Sequence, residues 1–262
     1  MRELLNLIGS ARIYDLGQPY FTGMPHYPTH PPFLFSLTHE HPAAAAFGSA
    51  SDAIAMSGHT GTHMDALCHF SRGGRLHDGT AVAGAQSFTG GVRTLSIDTV
   101  APVFRRGILL DIAGLLGVES LAEHLLITPE HLERAAESAG VHPETGDVVL
   151  LRTGWARFWD DPVRYHSGGR APGPGEEGGR WLSSRRIFAA GADTLSFEKV
   201  PDPAMPVHIH LLVECGIHLF ECLNLEALAR DRVHEFLFVA LPLKIRGGTA
   251  SPVRPAAVVP EI

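Results

Sequence analysis

The sequence is poor in cysteine and has no long apolar run. Its three cysteines, Cys68, Cys215 and Cys222, form no C-x-x-C pair, and an odd number cannot all be joined in disulfides, which suits a reducing compartment. No apolar run approaches the roughly 20 residues that span a bilayer. The apolar stretch at the N-terminus ends too early for a signal peptide. We therefore expect free thiols, a cytoplasmic location and no membrane partner.

Clusters of positive charge are missing as well. The formal net charge is -7 and no run of Lys or Arg interrupts it, so the chain repels phosphate backbones and anionic lipids. We therefore expect no nucleic-acid partner. The composition, with 45% hydrophobic and 19% charged residues, is that of an ordinary globular protein. A chain of 262 residues can bury one large core, and we expect a single domain over residues 1–262.

Local patterns predict alternating helices and strands. The clearest helix covers residues 128–139, with Thr128 as its N-cap, Pro129 at the first helical position and Gly140 just past its end. Short apolar runs rich in β-formers predict buried strands, at residues 107–113, 147–152 and 235–245. This alternation favours the α/β class.

Residues 167–179 predict a break between these elements. They hold six glycines and two prolines, a composition typical of a loop or of a linker between two domains. Because the candidate ligands lie on both sides of this segment and must meet, we favour a surface loop within one domain. Such a loop could close over a ligand as a lid, with a passive surface loop as the alternative.

The chemistry is concentrated in residues 57–70. Three histidines and one aspartate fall there at offsets of 0, 4, 6 and 10: His59, His63, Asp65 and His69. Even offsets share one face of an extended strand. A straight strand would place His59 and His63 about 13 Å apart, so the chain must fold back, with Gly58 and Gly61 as turning points. We expect a strand, a tight turn and a second short strand.

Imidazole and carboxylate ligands suit Zn²⁺ or another first-row ion such as Mn²⁺ or Fe²⁺. A catalytic site of this kind uses three protein ligands and leaves one position open for water, whose pKa the metal lowers to about 7. The alternative is that these histidines are core or surface residues without a metal. Four ligand-type residues within eleven favour the metal site.

A second cluster lies downstream, in residues 206–225. It contains three histidines and two glutamates: His208, His210, His218, Glu214 and Glu221. Their spacing does not select among the histidines. A glutamate within an apolar run, such as Glu221, needs a metal or a salt bridge if it is buried, whereas an exposed edge strand would need neither.

These residues resemble the cyclase family, which includes bacterial kynurenine formamidase, isatin hydrolase and a dienelactone hydrolase. The family motif H-x-G-T-H-x-D-x-P-x-H is matched from His59 to His69, except that Leu67 stands at the proline position. Residues 14–28 look like the opening segment of the family. Residues 191–198, the H-x-x-L-L pattern that begins at His208, and the segment that begins at Glu221 look like its later metal segment.

The resemblance implies a compact α/β domain with a mixed sheet, in the swivelling β/β/α class, and a homodimer or homotetramer. It implies one or two divalent ions, zinc or manganese, with the ligands His59, His63, Asp65, His208 and Glu221. His69 would be the catalytic residue. Kynurenine formamidases place a tryptophan in the N-terminal segment where this chain has Tyr27, a departure that argues against formamidase specificity. Tyr27 is a candidate substrate-binding residue, with simple packing as the alternative.

We therefore expect a metal-dependent hydrolase of an amide, lactam, lactone or formamide bond in a small cyclic or aromatic substrate. Metal-activated water would attack the carbonyl, and His69 would act as general acid and base. Phe70, together with Tyr27, Phe21 and Phe33, would form an aromatic wall. Two alternatives stay open: a metal-dependent cyclase or dehydratase in a biosynthetic pathway, and a metal-binding module without catalysis.

Overall fold

The computed structural model describes residues 9–44 and 46–260. The strands within these residues are β1 (Arg12–Asp15), β2 (Leu34–His39), β3 (Ser51–Ala55), β4 (His63–Asp65), β5 (Gln86–Ser87), β6 (Gly91–Val92), β7 (Val103–Asp111), β8 (Leu126–Ile127), β9 (Val148–Arg152), β10 (Gly173–Pro174), β11 (Ala189–Ala192), β12 (His218–Glu221), β13 (Glu235–Ala240), β14 (Ala250–Pro252) and β15 (Ala256–Val259). The helices are α1 (Ile112–Leu115), α2 (Pro129–Ala139), α3 (Pro162–His166), α4 (Glu176–Ser184), α5 (Pro206–His208), which continues as a π-helical segment (Ile209–Cys215), and α6 (Glu226–Arg230). Short 3₁₀ turns occupy Ile97–Thr99 and Trp155–Phe158.

Nine strands form one mixed sheet in the order β1-β15-β13-β7-β9-β11-β12-β4-β14. The central strands β7, β9, β11 and β12 are parallel. Antiparallel strands extend the sheet on both sides. This arrangement confirms the α/β class and the mixed sheet. Three smaller ladders, β2–β3, β5–β6 and β8–β10, lie outside the sheet.

The two faces of the sheet bury separate cores. Leu151 of β9 packs with the helices α2 and α4 on one face, and Leu150 packs with Phe220 and Phe238 on the other. Every residue of β9 is buried, which explains why this parallel strand reads as a continuous apolar run and not as an alternating one.

The predicted helix over 128–139 is confirmed as α2. The Thr128 side chain accepts a hydrogen bond from the backbone of His131, Pro129 opens the helix, and Gly140 ends it with φ 65°. These caps satisfy backbone groups that a helix end otherwise leaves unpaired. Local sequence therefore determines this element.

The strands agree with the prediction less closely at their ends. The strand predicted over 107–113 is β7. It begins earlier than expected, at Val103, and ends at Asp111, whose side chain caps α1. The strand predicted over 235–245 is β13, which ends at Ala240. The prediction of a strand to residue 245 was therefore wrong, and Leu241 and Leu243 are exposed beyond the end of the ladder.

The prediction of an irregular loop over 167–179 was also wrong in its second half. Gly173 begins the short strand β10, and Glu176 begins α4. A Cβ atom at Gly178 would lie 2.8 Å from Cβ of Pro174, so glycine lets α4 pack tightly against β10. Composition alone does not distinguish a glycine that permits flexibility from one that permits close packing.

No helix in residues 9–44 and 46–260 is long and apolar enough to cross a bilayer. The N-terminal apolar stretch, which we do not expect to be a signal peptide, begins in residues 1–8, outside the described part of the chain.

Candidate metal centre

Strands β4 and β12 bring three predicted ligands together on one face of the sheet. His63 and Asp65 are two residues apart on β4, and Glu221 lies directly opposite His63 in the antiparallel pair. Met64, between them, points into the core on the other face. Nε2 of His63 consequently lies 3.4 Å from Oδ1 of Asp65 and 3.4 Å from Oε2 of Glu221.

The turns on either side of β4 supply the other two motif histidines. Before the strand, Gly61 adopts φ 65°, and the chain folds back so that Nδ1 of His59 lies 2.9 Å from Oδ1 of Asp65. After the strand, the backbone N–H of His69 donates to the carbonyl of Ala66. The ring centroids of His59 and His69 are 4.0 Å apart. The turn, with Gly61 as the left-handed residue, and the short second strand match the expectation. The expected first strand is not found at His59, which lies in the turn itself.

Of the downstream histidines, only His208 reaches the cluster. Its Nε2 lies 3.2 Å from Oε1 of Glu221 and 4.0 Å from Oδ2 of Asp65. His210 turns away and contacts Ser183 and Glu214. The Nδ1–H of His218 donates to the backbone carbonyl of Asp65 at 2.9 Å, and the residue lines a different cavity.

The three histidines closest to the carboxylates share one feature. Each points one ring nitrogen at the carboxylates and binds a protein oxygen with the other. The contacts are His59 Nε2 to Thr249 Oγ1 at 3.0 Å, His63 Nδ1 to the Gly61 carbonyl at 2.8 Å, and His208 Nδ1 to Glu198 Oε1 at 2.6 Å. Histidines that ligate metals are oriented in this way, by a second partner on the far nitrogen.

The buried polar atoms at the centre show whether a metal would fit there. Within the described part of the chain, Nε2 of His63 and both carboxylate oxygens of Asp65 have no hydrogen bond of normal geometry, although buried polar groups are nearly always paired. Ligand atoms of His63, Asp65 and Glu221 lie within 4.8 Å of one another, as do those of His59, Asp65 and His69. Asp65 belongs to both groups. Imidazole and carboxylate donors arranged in this way fit a divalent cation.

The ionisable groups of the centre shift one another's pKa values. Burial opposes a charge on His63, but the carboxylates of Asp65 and Glu221 outweigh it and raise the pKa of His63 to about 10. Burial likewise opposes a charge on Glu221, whose pKa the neighbouring imidazoles of His208 and His63 lower to about 2. His69 differs, because burial lowers its pKa to about 3. Its ring is therefore neutral at pH 7.

A cavity of about 150 Å³ lies over these groups. Tyr27 and Phe70, the two predicted substrate-binding residues, line it together with Leu195 and Met205. The other two members of the predicted aromatic wall, Phe21 and Phe33, pack in a separate apolar cluster with Tyr20 and Met24.

A larger cavity, of about 690 Å³, lies elsewhere, between Gln18, Leu243 and Arg254. None of the predicted ligands lines it, and Arg254 is neutralised by the carboxylate of Asp15. We therefore assign the chemistry to the smaller cavity.

Three residues of the site escaped the sequence prediction. Glu198 holds His208, the ring of His30 lies 5.0 Å from that of His59, and Ser196 lines the cavity. For Glu198 a signal existed, because a glutamate amid apolar residues needs a partner. His30 lies in a proline-rich segment where no local pattern marks it.

Comparison with known proteins places these residues in context. The Cyclase family model matches residues 14–199. An isatin hydrolase of Roseibium aggregatum is 29% identical over 215 residues, which cover 78% of this chain and 72% of that protein. A kynurenine formamidase of Salinibacter ruber is 29% identical over 205 residues, which cover 77% of this chain and 76% of that protein. Both relatives are named as hydrolases, which confirms the prediction of an enzyme of this class.

A solved structure described as a novel cyclase has the same fold. It superposes with a TM-score of 0.87 at 30% identity and covers 98% of this chain and 90% of that chain. The α/β fold with a mixed sheet is thereby confirmed. Because the family model spans most of the chain and includes the whole segment from His59 to His69, the chain belongs to the cyclase family.

Proposed function

We propose that this protein is a metal-dependent hydrolase that cleaves an amide, lactam, lactone or formamide bond in a small cyclic or aromatic substrate. The observation that carries the proposal is the buried carboxylate of Asp65. It is fully enclosed, lacks normal hydrogen bonds from the described residues, and is surrounded by imidazoles that are themselves anchored from behind. The hydrolase activity of the named relatives supports the same conclusion.

Five residues would hold the metal: His59, His63, Asp65, His208 and Glu221. A divalent ion at such a site polarises a carbonyl group and lowers the pKa of a water molecule to about 7. Zinc and manganese both accept imidazole and carboxylate ligands. Because Asp65 belongs to both groups of candidate ligands, it could serve one ion or bridge two.

His69 would carry the proton. Its neutral ring lies tilted by 39° against that of His59 and forms an edge contact with Phe70 in the cavity wall, with ring centroids 4.8 Å apart. A neutral imidazole can take a proton from the attacking water and deliver it to the leaving nitrogen or oxygen. His69 also lies near enough to His59 and Asp65 to act as a ligand, and metal content distinguishes the two roles.

The cavity favours a compact substrate with an apolar ring. Tyr27 and Phe70 present aromatic surfaces, and Leu195 and Met205 add aliphatic ones. A volume of about 150 Å³ is small for a ligand pocket. We expect Tyr27 to pack against the ring of the substrate.

We also propose that the protein is a cytoplasmic homodimer or homotetramer. The three cysteines are free, as suits a reducing compartment. The hairpin of β2 and β3 exposes Leu34, Phe35, Leu37 and Ile54. Phe35 lies opposite Ile54 on this hairpin, and Leu37 follows two residues after Phe35 on the same strand. Exposed apolar side chains grouped in this way are typical of a protein–protein contact.

The test compares wild type with Asp65→Asn by elemental analysis, followed by a panel of formanilides, aryl lactones and isatin with the zinc- and manganese-loaded proteins. We expect stoichiometric metal and turnover in wild type only. Incorporation of oxygen from H₂¹⁸O into the product separates hydrolysis from ring closure or dehydration. If the wild-type protein takes up neither ion, the proposal is contradicted. If it binds metal but turns over none of these substrates, it is a metal-binding module without catalysis.

A further inference from the structure

A cavity of about 310 Å³ lies on the opposite side of β12 from the candidate metal centre, and we call it the rear cavity. Its volume reaches the roughly 300 Å³ at which ligand pockets begin. His218 lines it, whereas Glu221, three residues further along β12, lines the cavity over the metal centre. Side chains an odd number of positions apart point to opposite faces of a strand. Among residues 9–44 and 46–260, none lines both cavities.

His218 forms the buried end of the rear cavity. Its side chain is only 7% exposed. Nδ1–H donates to the backbone carbonyl of Asp65, because a carbonyl oxygen can only accept. Burial lowers the pKa of His218, so the ring is neutral at pH 7 and its other nitrogen, Nε2, is a hydrogen-bond acceptor. Within the described part of the chain, no group donates a hydrogen bond to Nε2.

Arg105 lies at the open end of the same cavity. Its side chain is exposed, and its guanidinium carbon lies 4.2 Å from the ring centroid of Phe188, which also lines the cavity. The guanidinium donates one long hydrogen bond, of 3.4 Å, to the carbonyl of Gly146. It forms no ion pair with any residue in 9–44 or 46–260. A guanidinium group of this kind is available to a carboxylate.

Two residues of the apolar wall are unusual. Leu67 stands where the family motif has a proline, and its side chain lines the rear cavity. Leu95 has a φ of 56°, in the left-handed region that residues other than glycine rarely adopt. Its carbonyl accepts a hydrogen bond of 3.3 Å from the backbone of Cys68, which joins this wall to the motif segment. Backbone strain that the surrounding structure imposes is concentrated at ligand sites.

These three parts of the cavity define the chemistry of a ligand. The buried end offers a hydrogen-bond acceptor, the open end offers a cation, and the wall between them is apolar and includes the aromatic ring of Phe188. A ligand that satisfies all three has a flat apolar body, a hydroxyl group at one end and an anionic group at the other.

We propose that the rear cavity is a binding site for a small aromatic acid that carries a hydroxyl group at the opposite end of its ring from the carboxylate. The hydroxyl group donates to Nε2 of His218, the ring packs against Phe188, and the carboxylate pairs with Arg105. This inference does not rest on the proposed function, because none of the candidate metal ligands lines the rear cavity.

The test measures the binding of three ligands to the full chain, in buffer that contains zinc, by ligand-detected NMR titration. 4-Hydroxyphenylacetate carries both polar groups, phenylacetate lacks the hydroxyl group, and 4-methylphenol lacks the carboxylate. We expect 4-hydroxyphenylacetate to bind about fivefold more tightly than either of the others, because a neutral hydrogen bond and an exposed ion pair each contribute on this scale.

Two variants assign these advantages to their residues. His218→Asn keeps an N–H group for the carbonyl of Asp65 but removes Nε2, so 4-hydroxyphenylacetate should lose its advantage over phenylacetate. Arg105→Gln should remove its advantage over 4-methylphenol and leave the other ratio unchanged.

His234→Asn and Arg93→Gln are the matched controls. Nδ1 of His234 contacts a backbone carbonyl in the same way, that of Leu109 at 3.2 Å, and neither His234 nor Arg93 lines the rear cavity. Both controls should keep both ratios.

Ala101→Trp places a bulky side chain at an exposed position in the cavity wall and should abolish binding of all three ligands. Together with Arg105→Gln it tests the site even if His218→Asn does not fold. The site is refuted if 4-hydroxyphenylacetate binds no more tightly than either analogue in wild type, or if a ratio survives in the variant that should remove it. If Tyr27→Ala loses binding and Ala101→Trp keeps it, the acid occupies the cavity over the metal centre, which also refutes the site.

Discussion

Oε1 of Glu198 lies 2.6 Å from Nδ1 of His208 and also accepts a hydrogen bond from the backbone N–H of His208. One carboxylate oxygen thus fixes both the ring and the backbone of the same histidine. The opposite ring nitrogen, Nε2, then faces Glu221 at 3.2 Å. This relationship explains how a residue at the start of a helix is held against a strand thirteen positions later in the chain.

Replacing Glu198 by glutamine should weaken metal binding about 10- to 100-fold, because the partners of metal-bound histidines contribute to affinity on this scale. Chelator competition with zinc measures the effect. Glu214→Gln is the matched control, since Glu214 makes the same kind of contact with His210, at 2.8 Å, away from the centre. Equal zinc affinity in Glu198→Gln and wild type would show that His208 is not a ligand oriented by Glu198.

Asp65→Asn should abolish the stabilisation of the protein by metal. Wild type should gain about 2.7 kcal/mol in its free energy of unfolding at a zinc concentration 100 times Kd, seen as a rise in Tm. Asp65 belongs to both groups of candidate ligands, so its loss should remove this gain entirely, whereas Glu221→Gln affects one group. If zinc raises the Tm of Asp65→Asn as much as that of wild type, the metal binds elsewhere.

His69→Ala should lower kcat about 10²- to 10⁴-fold, the usual contribution of one acid-base group, while the metal content stays at the wild-type level. Elemental analysis of the same preparation that is used for kinetics makes the comparison direct. Metal lost together with activity would instead assign His69 to the ligands, as its position near His59 and Asp65 allows.

Metal binding should release about two protons at pH 7. Burial opposes charge on His63 and His208, but their carboxylate neighbours raise the pKa of each to about 10. Both rings are therefore protonated below that pH and must lose the proton to bind a cation, so affinity should increase as pH rises toward 10. Calorimetry in buffers of different ionisation enthalpy counts the protons. If the enthalpy of metal binding is the same in all buffers, no protons are released, and the raised pKa values of His63 and His208 are contradicted.

Gly61→Ala should destabilise the protein more than Gly73→Ala does. Both glycines have a positive φ, but a Cβ atom at residue 61 would lie 2.4 Å from the ring of Tyr20, whereas one at residue 73 meets nothing within 4 Å. The left-handed backbone alone costs about 1–2 kcal/mol, and overpacking adds about 1–3 kcal/mol at Gly61. Urea unfolding in the presence of EDTA measures both. Equal losses would mean that Tyr20 moves aside freely.

The sequence by itself determined the features that depend on neighbours along the chain. Thr128, Pro129 and Gly140 mark the ends of α2 through local capping, and the buried strand β9 is evident from its continuous apolar run. The segment from His59 to His69 indicated the chemistry, because four ligand-type residues and the turn at Gly61 lie within a few residues of one another.

Only the tertiary structure decided which downstream residues join that segment. His208 and His210 are two positions apart on one helical stretch, so their side chains leave in roughly opposite directions, and the packing of that stretch determines which one faces Glu221. Glu221 in turn meets His63 through the register of β12 and β4, a pairing between segments far apart in the chain.

The same limit applies to the cavity over the metal centre. Tyr27, Phe70 and Ser196 come from three separate segments of the chain. The glycines and prolines that suggested a loose loop over 167–179 instead form β10 and the start of α4. Local sequence reports the conformations that a segment can adopt. Which of its side chains share a cavity depends on long-range packing, because burial free energy is gained only when distant segments meet.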